Sequence, residues 1–135
     1  MKTRVIVSAV IEKDDLLLFG KKTADIWPSP NTWHLIGGGV SEDESLIDAI
    51  KREIREESRI EVEIVESIGF DEDHEPNKHG EMTHYIFLVY RARYLSGEPR
   101  ADDDIVHLEW IPRTRLPEIE LNRPSLKLFR KMGYI

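Results

Sequence analysis

Three glutamates, Glu53, Glu56 and Glu57, follow one another at i, i+3 and i+4, a spacing that lets side chains meet on one flank of a helix. Clustered carboxylates repel, and burying an unpaired one costs several kcal/mol. A divalent cation relieves both penalties, and Mg²⁺ is the hard, oxygen-seeking ion that also grips phosphates. Such a cluster could therefore serve metal-assisted cleavage at phosphorus. An ordinary glutamate-rich helix surface, with Arg52 and Arg55 as ion-pair partners, is the competing reading, and spacing alone leaves both open.

The helix that would carry these groups is expected over residues 41–58. Ser41 is the expected N-cap, and Glu44, three residues on, completes a Ser-x-x-Glu capping box. Glu42 and Asp43 suit the positive end of the helix dipole. At about 100° per residue, Leu46, Ile47, Ala49, Ile50 and Ile54 form the apolar face. Glu44, Asp48, Lys51 and Arg55 fall opposite, as a solvated face should. Glu57 lands inside the apolar stripe, where an uncompensated charge does not belong. Gly37, Gly38 and Gly39 precede the helix as an expected glycine-rich turn, which lets backbone approach a ligand and leads to a helix N-terminus that attracts anions.

The surrounding elements follow from periodicity. Residues 4–11 and 16–19 are expected strands joined by an acidic hairpin turn, 12–15. Residues 27–32 read as a loop, followed by a short strand at 33–36. Strands are expected over 60–70, 82–95 and 105–111, with 71–80 a polar loop between the first two. A final helix over 124–132 starts at a proline and stops at Gly133. The fold class is α/β, with 1–135 read as a single domain.

Bulk properties narrow the partners. A chain of 135 residues can bury a real core, and 40% hydrophobic with 33% charged residues fits a globular protein. No apolar run approaches the roughly 18–20 residues that span a bilayer, so no membrane partner is expected. The absence of cysteine excludes disulfides, thiolate metal sites and cysteine nucleophiles. A cytoplasmic address is expected. A net charge of −7 opposes binding of nucleic acid polymers. A small phosphorylated substrate remains compatible if cations bridge it to the protein.

Taken in register, Gly38, Glu44, Arg52, Glu53, Ile54, Glu56, Glu57 and Ile60 resemble the Nudix box, G-x5-E-x7-R-E-U-x-E-E-x-G-U with U aliphatic. One position departs: Arg59 stands where the family has its last glycine, which bears on how the helix ends. Trp33 before the glycines resembles the common W-x-x-P-G-G-G entry, with Ile36 in place of the proline. Trp110 also has a counterpart in many members, where a glutamate six residues earlier is a metal ligand or base; that position here is Asp104, in the run Asp102-Asp103-Asp104.

The resemblance implies an α/β/α sandwich with a central mixed sheet, and hydrolysis of a nucleoside diphosphate linked to another group, using Mg²⁺, with Mn²⁺ as a substitute. It implies Glu53, Glu56 and Glu57 as metal ligands, with the Gly38 carbonyl as a further donor. Glu53 is the first choice for the base acting on water, and Asp104 the alternative. Arg52 is expected to position a glutamate, and Glu44 to cap the helix. Many relatives dimerise, so a homodimer is an open alternative.

The substrate is less constrained. The MKTRVIVSAVI strand, the WHLIGGGV entry and the ELNRPSLKLFRKMGYI ending resemble small nucleoside triphosphatases acting on pyrimidine deoxynucleotides, which release pyrophosphate and leave a monophosphate. A pyrophosphatase of ADP-ribose, nucleotide sugars or oxidised purine nucleotides is the rival within enzymes, and a non-catalytic nucleotide sensor the rival outside them. Trp27, Trp33, Tyr85 and Phe87 could stack on a base. His34, His74, His79, His84 and His107 have no metal-ligand spacing, although His34 could reach a phosphate.

Overall fold

A computed structural model describes residues 1–22, 31–102 and 105–135. Its elements, in chain order, are β1 (Lys2–Lys13), β2 (Leu16–Lys22), β3 (Ile36–Gly39), α1 (Leu46–Ser58), β4 (Glu61–Pro76), β5 (Met82–Ser96), β6 (Ile105–Pro112), a 3₁₀ segment (Arg113–Glu118) and α2 (Arg123–Lys131). The strands form one mixed sheet in the order β4-β5-β1-β2-β6, with β3 also pairing β1.

β1 organises this sheet. Along one edge it runs parallel to β5, from Lys2 opposite Thr83 to Glu12 opposite Arg93. Its other edge is shared: β3 takes Ile6 to Ala9, and β2 takes only Glu12 and Lys13, next to the hairpin turn. Alternation along β1 sorts the side chains. Val7, Ala9 and Ile11 join Ala49, Ile50 and Ile54 of α1 in one core. Val10 joins Phe19, Leu128 and Phe129 in the other, under α2. The sheet is thus covered on both faces, the layered architecture expected.

Several expectations shift. The helix begins at Leu46, not near Ser41, and its N-cap is Ser45, whose hydroxyl accepts from the Asp48 N–H at 3.1 Å. Only the Glu44 half of the predicted box forms, at 2.8 Å from the Ser41 N–H. The late start leaves Leu46 and Ile47 on the first turn at the rim, 38% and 37% exposed, rather than in the core. The glycines form no turn. They are most of β3, pairing with β1, and residues 40–45 separate them from the helix. Strand β4 runs on to Pro76, through most of the predicted polar loop, because its pairing with β5 continues to Pro76 opposite Met82. The acidic side chains there alternate along a paired strand. Residues 27–30, with Trp27, lie outside the described residues.

Helix α1 ends at Arg59, which takes φ 62°, ψ 23° and donates its N–H to the Arg55 carbonyl. This left-handed cap is the conformation that favours glycine, which explains the motif residue Arg59 replaces. Helix α2 is capped by Asn122, with Pro124 in its first turn, and Gly133 (φ 76°) follows its end.

Candidate active site

The C-terminal half of α1 lies against β3, and the fit depends on Gly37 and Gly38 having no side chains. A Cβ on Gly38 would sit 2.5 Å from the Glu53 carboxyl group, and one on Gly37 would run into the Val7 carbonyl. Glu57, 4% exposed, accepts the Gly37 N–H at 3.0 Å. The predicted misfit on the apolar stripe is therefore a buried carboxylate held by a glycine backbone.

Arg52 ties the remaining acids together. Its Nη1 donates to Glu53 Oε1 at 3.0 Å and to Glu56 Oε2 at 3.2 Å, so one nitrogen serves both carboxylates. Its Nε and Nη2 donate to Glu44 at 2.9 and 2.6 Å, and Nη2 also reaches the Gly39 carbonyl at 3.0 Å. These hydrogen bonds from Arg52, aided by the Ser41 N–H, lower the Glu44 pKa to about 2. Glu44 raises the Arg52 pKa in return. Glu44 thus works mainly as the anchor of Arg52, beyond the capping role expected of it.

The three glutamates are not equivalent. The side chains of Glu53 and Glu57 border the main cavity; that of Glu56 is half-exposed and lies outside it, beside Arg55, Arg59 and Asp102. Among the described residues, no three carboxylate or imidazole side chains form a ready-made metal-holding group. Asp104 lies outside the described residues. Its neighbour Asp102 pairs with Arg59 at 2.8 Å, and the Asp102 N–H reaches the Glu57 carbonyl at 3.3 Å. Asp102 is therefore held at the end of α1.

The cavity, about 650 Å³, extends from these carboxylates across the sheet to the start of α2. Its floor includes Ser8, Tyr85 and Phe87, and the two rings stack at 5.8 Å between centroids, 21° apart. Burial pushes the Tyr85 hydroxyl pKa up. Glu75 lines the far part, its pKa raised by burial and by Asp73.

Of the predicted aromatics, Tyr85 and Phe87 face the cavity, while Trp33 packs on His107 and under the Lys21 ammonium. His34 and His79 line it; His74 and His84 instead stack at 4.4 Å beside Glu72. Sequence reasoning missed Arg4 and Glu75. The alternation Arg4, Ile6, Ser8 carried a signal, since one β1 face that is only half apolar had to meet something other than core.

The mixed sheet covered on both faces, with two glutamates of α1 set against the glycines of β3, defines the class to which the chain is compared. Residues 2–132 match the family profile described as NUDIX domain, and the chain belongs to that family. It is 26% identical over 141 aligned positions, covering both chains completely, to the nucleoside triphosphatase NudI of Enterobacter sp. (strain 638). It is similar at 27% identity and TM-score 0.75 to the MutT NUDIX hydrolase of Burkholderia pseudomallei, covering 96% of this chain and 98% of that one. The MutT protein of Methanosarcina mazei Go1, 19% identical, shares the fold with TM-score 0.81 over 98% and 94% of the two chains. No helix among the described residues is long and apolar enough to cross a membrane.

Proposed function

We propose that the chain hydrolyses a nucleoside (deoxy)triphosphate to the monophosphate and pyrophosphate. The observation that carries this reading is the placement of the part-buried Glu53 and the buried Glu57 against β3, both bordering a cavity large enough for a nucleotide. The naming of the NudI relatives as nucleoside triphosphatases supports the substrate class.

The donor set is all oxygen: the carboxylates of Glu53, Glu56 and Glu57 and the Gly38 carbonyl, a chemistry that suits Mg²⁺, with Mn²⁺ as a substitute. Gly38 leaves room for the Glu53 carboxyl beside the backbone, and Glu57 is already fixed by the Gly37 N–H. When bound, such an ion would neutralise phosphate charge and lower the pKa of water. Glu53 accepts a proton of the attacking water, whose oxygen bonds to one phosphorus of the α–β anhydride as the bond from that phosphorus to the bridging oxygen breaks, leaving the monophosphate and pyrophosphate. Arg52 holds Glu53 and Glu56 by a shared nitrogen and so acts as a positioning residue. Asp104 is the second candidate for the base. The stacked Tyr85 and Phe87 offer a platform for the base of the nucleotide.

Incubation with Mg²⁺ and a panel of dNTPs, NTPs, ADP-ribose and nucleotide sugars, with products identified, tests the reading. Pyrophosphate released from a dNTP supports it. Two monophosphates from ADP-ribose overturn it, and tight binding without turnover favours a sensor.

A further inference from the structure

Arg4 lines the cavity. Its side chain is exposed, and among the described residues it makes no hydrogen bond or ion pair. Yet its place is built. The guanidinium lies where a side chain of residue 39 would otherwise go: a Cβ on Gly39 would stand 2.9 Å from Nη2, 3.4 Å from Nε and 3.6 Å from Cζ. Ile6, two residues on and on the same face of β1, is the register partner of Gly39. The cross-strand neighbour of Arg4 on β5 is Tyr85, part of the cavity floor.

Alternation along β3 places Arg4 relative to the acids. Gly38 looks toward Glu53 and Gly39 toward Arg4, so the part-buried carboxylate and the exposed guanidinium flank opposite faces of the strand one residue step apart, and both border the cavity. An anion entering this end of the cavity meets Glu53 and Glu57, and the chain carries a net charge of −7. Without a cation beside the entrance the anion would be repelled. Arginine offers five N–H donors in a planar fork that fits phosphate oxygens two at a time.

We propose that Arg4 is a phosphate-binding residue of this site, gripping the polyphosphate of the substrate at the carboxylate end of the cavity from its seat on Gly39. The proposal rests on the nucleotide reading above and adds to it the residue that holds the chain of phosphates.

The test is equilibrium binding by calorimetry, with Mg²⁺, to wild type, Arg4→Gln and Arg4→Lys. Three probes are compared: inorganic pyrophosphate, the α,β-imido analogue of the nucleotide hydrolysed fastest, and its parent nucleoside. Arg4→Gln should weaken pyrophosphate and the imido analogue roughly ten- to hundredfold, the range for hydrogen bonds to a charged group. Nucleoside binding should not change, and Arg4→Lys should keep part of the affinity through its charge. Melting temperature and circular dichroism check the fold of each variant. Unchanged anion affinity in Arg4→Gln, or an equal loss for the uncharged nucleoside, overturns the proposal. A wild type that binds pyrophosphate through Arg4 but cleaves no nucleotide would instead sink the hydrolase reading and leave Arg4 as an anion-binding residue.

Discussion

The carboxyl group of Glu53 occupies the space that a methyl group on Gly38 would need, 2.5 Å from the position of its Cβ. The glycine is thus required by its neighbour on α1. Replacing Gly38 by alanine should push the flexible end of Glu53 aside and leave the strand paired. Because a displacement of about 1 Å in a reacting constellation can cost 10²-fold, kcat should fall by roughly that factor, with a melting temperature within a few degrees of wild type. Steady-state kinetics beside a thermal melt measures both. Full activity in Gly38→Ala would mean that the position of Glu53 does not matter.

Glu57→Gln separates charge from packing. The amide oxygen can still accept the Gly37 N–H, so folding should survive, but the negative charge is gone. Hydrolysis with Mg²⁺ should drop by at least about 10²-fold, and Mn²⁺ affinity, read by electron paramagnetic resonance, should weaken. Activity within a few-fold of wild type would refute the metal-cluster account.

Glu44 makes the acid limb of the stability curve informative. Its pKa is lowered from 4.5 to about 2 in the folded chain, chiefly by the Arg52 hydrogen bonds. The unfolded chain therefore takes up the proton first. The stability Glu44 contributes is complete above the unfolded value and fades as pH falls through the folded one. The melting-temperature gap between wild type and Glu44→Gln should be open at pH 7, narrow below about pH 4.5 and close near pH 2. A gap that does not vary with pH would show that Arg52 does not depend on the charge of Glu44.

Arg59 pits backbone strain against an ion pair. The left-handed φ of 62° costs a non-glycine residue about 1 kcal/mol, whereas its exposed bridge to Asp102 contributes about 0.2–1 kcal/mol. Arg59→Gly relieves the strain and loses the bridge, so the net change should stay under about 1 kcal/mol. Arg59→Ala loses the bridge and keeps the strain, and should be the less stable of the two by about 1 kcal/mol. Urea denaturation resolves that difference; equal stabilities would remove the strain argument.

Part of the candidate site was legible because Glu57 conflicts with a simple amphipathic pattern and Glu53 lies beside it on the helix; both border the cavity, while Glu56 lies outside it. The strands at 4–11, 82–95 and 105–111 were legible for the opposite reason, as runs that alternate or concentrate β-formers. What escaped depends on distant partners. Gly37 to Gly39 have no strand propensity, and only pairing with β1 makes them extended. Asp71, Asp73 and Glu75 look like loop residues until β5 is laid beside them. Ser45 outcompeted Ser41 as the cap because Arg52 draws Glu44 out of the first turn and into its own network. Arg4 was invisible as a functional residue because its meaning lies in Gly39, thirty-five positions away in the chain.

The pairing of β1 with β5 also has a temporal side. Lys2 meets Thr83 and Glu12 meets Arg93, so β1, once synthesised, waits for about eighty further residues before this edge is filled. Contacts of such separation slow folding, and a strand kept waiting with open edges is exposed to other nascent chains. The charges scattered through its opening, Lys2 and Arg4 before the apolar run and Glu12, Lys13, Asp14 and Asp15 after it, bracket that run as gatekeepers. On this view Arg4 serves twice, first by keeping an unfinished chain apart from its neighbours and later by meeting the substrate.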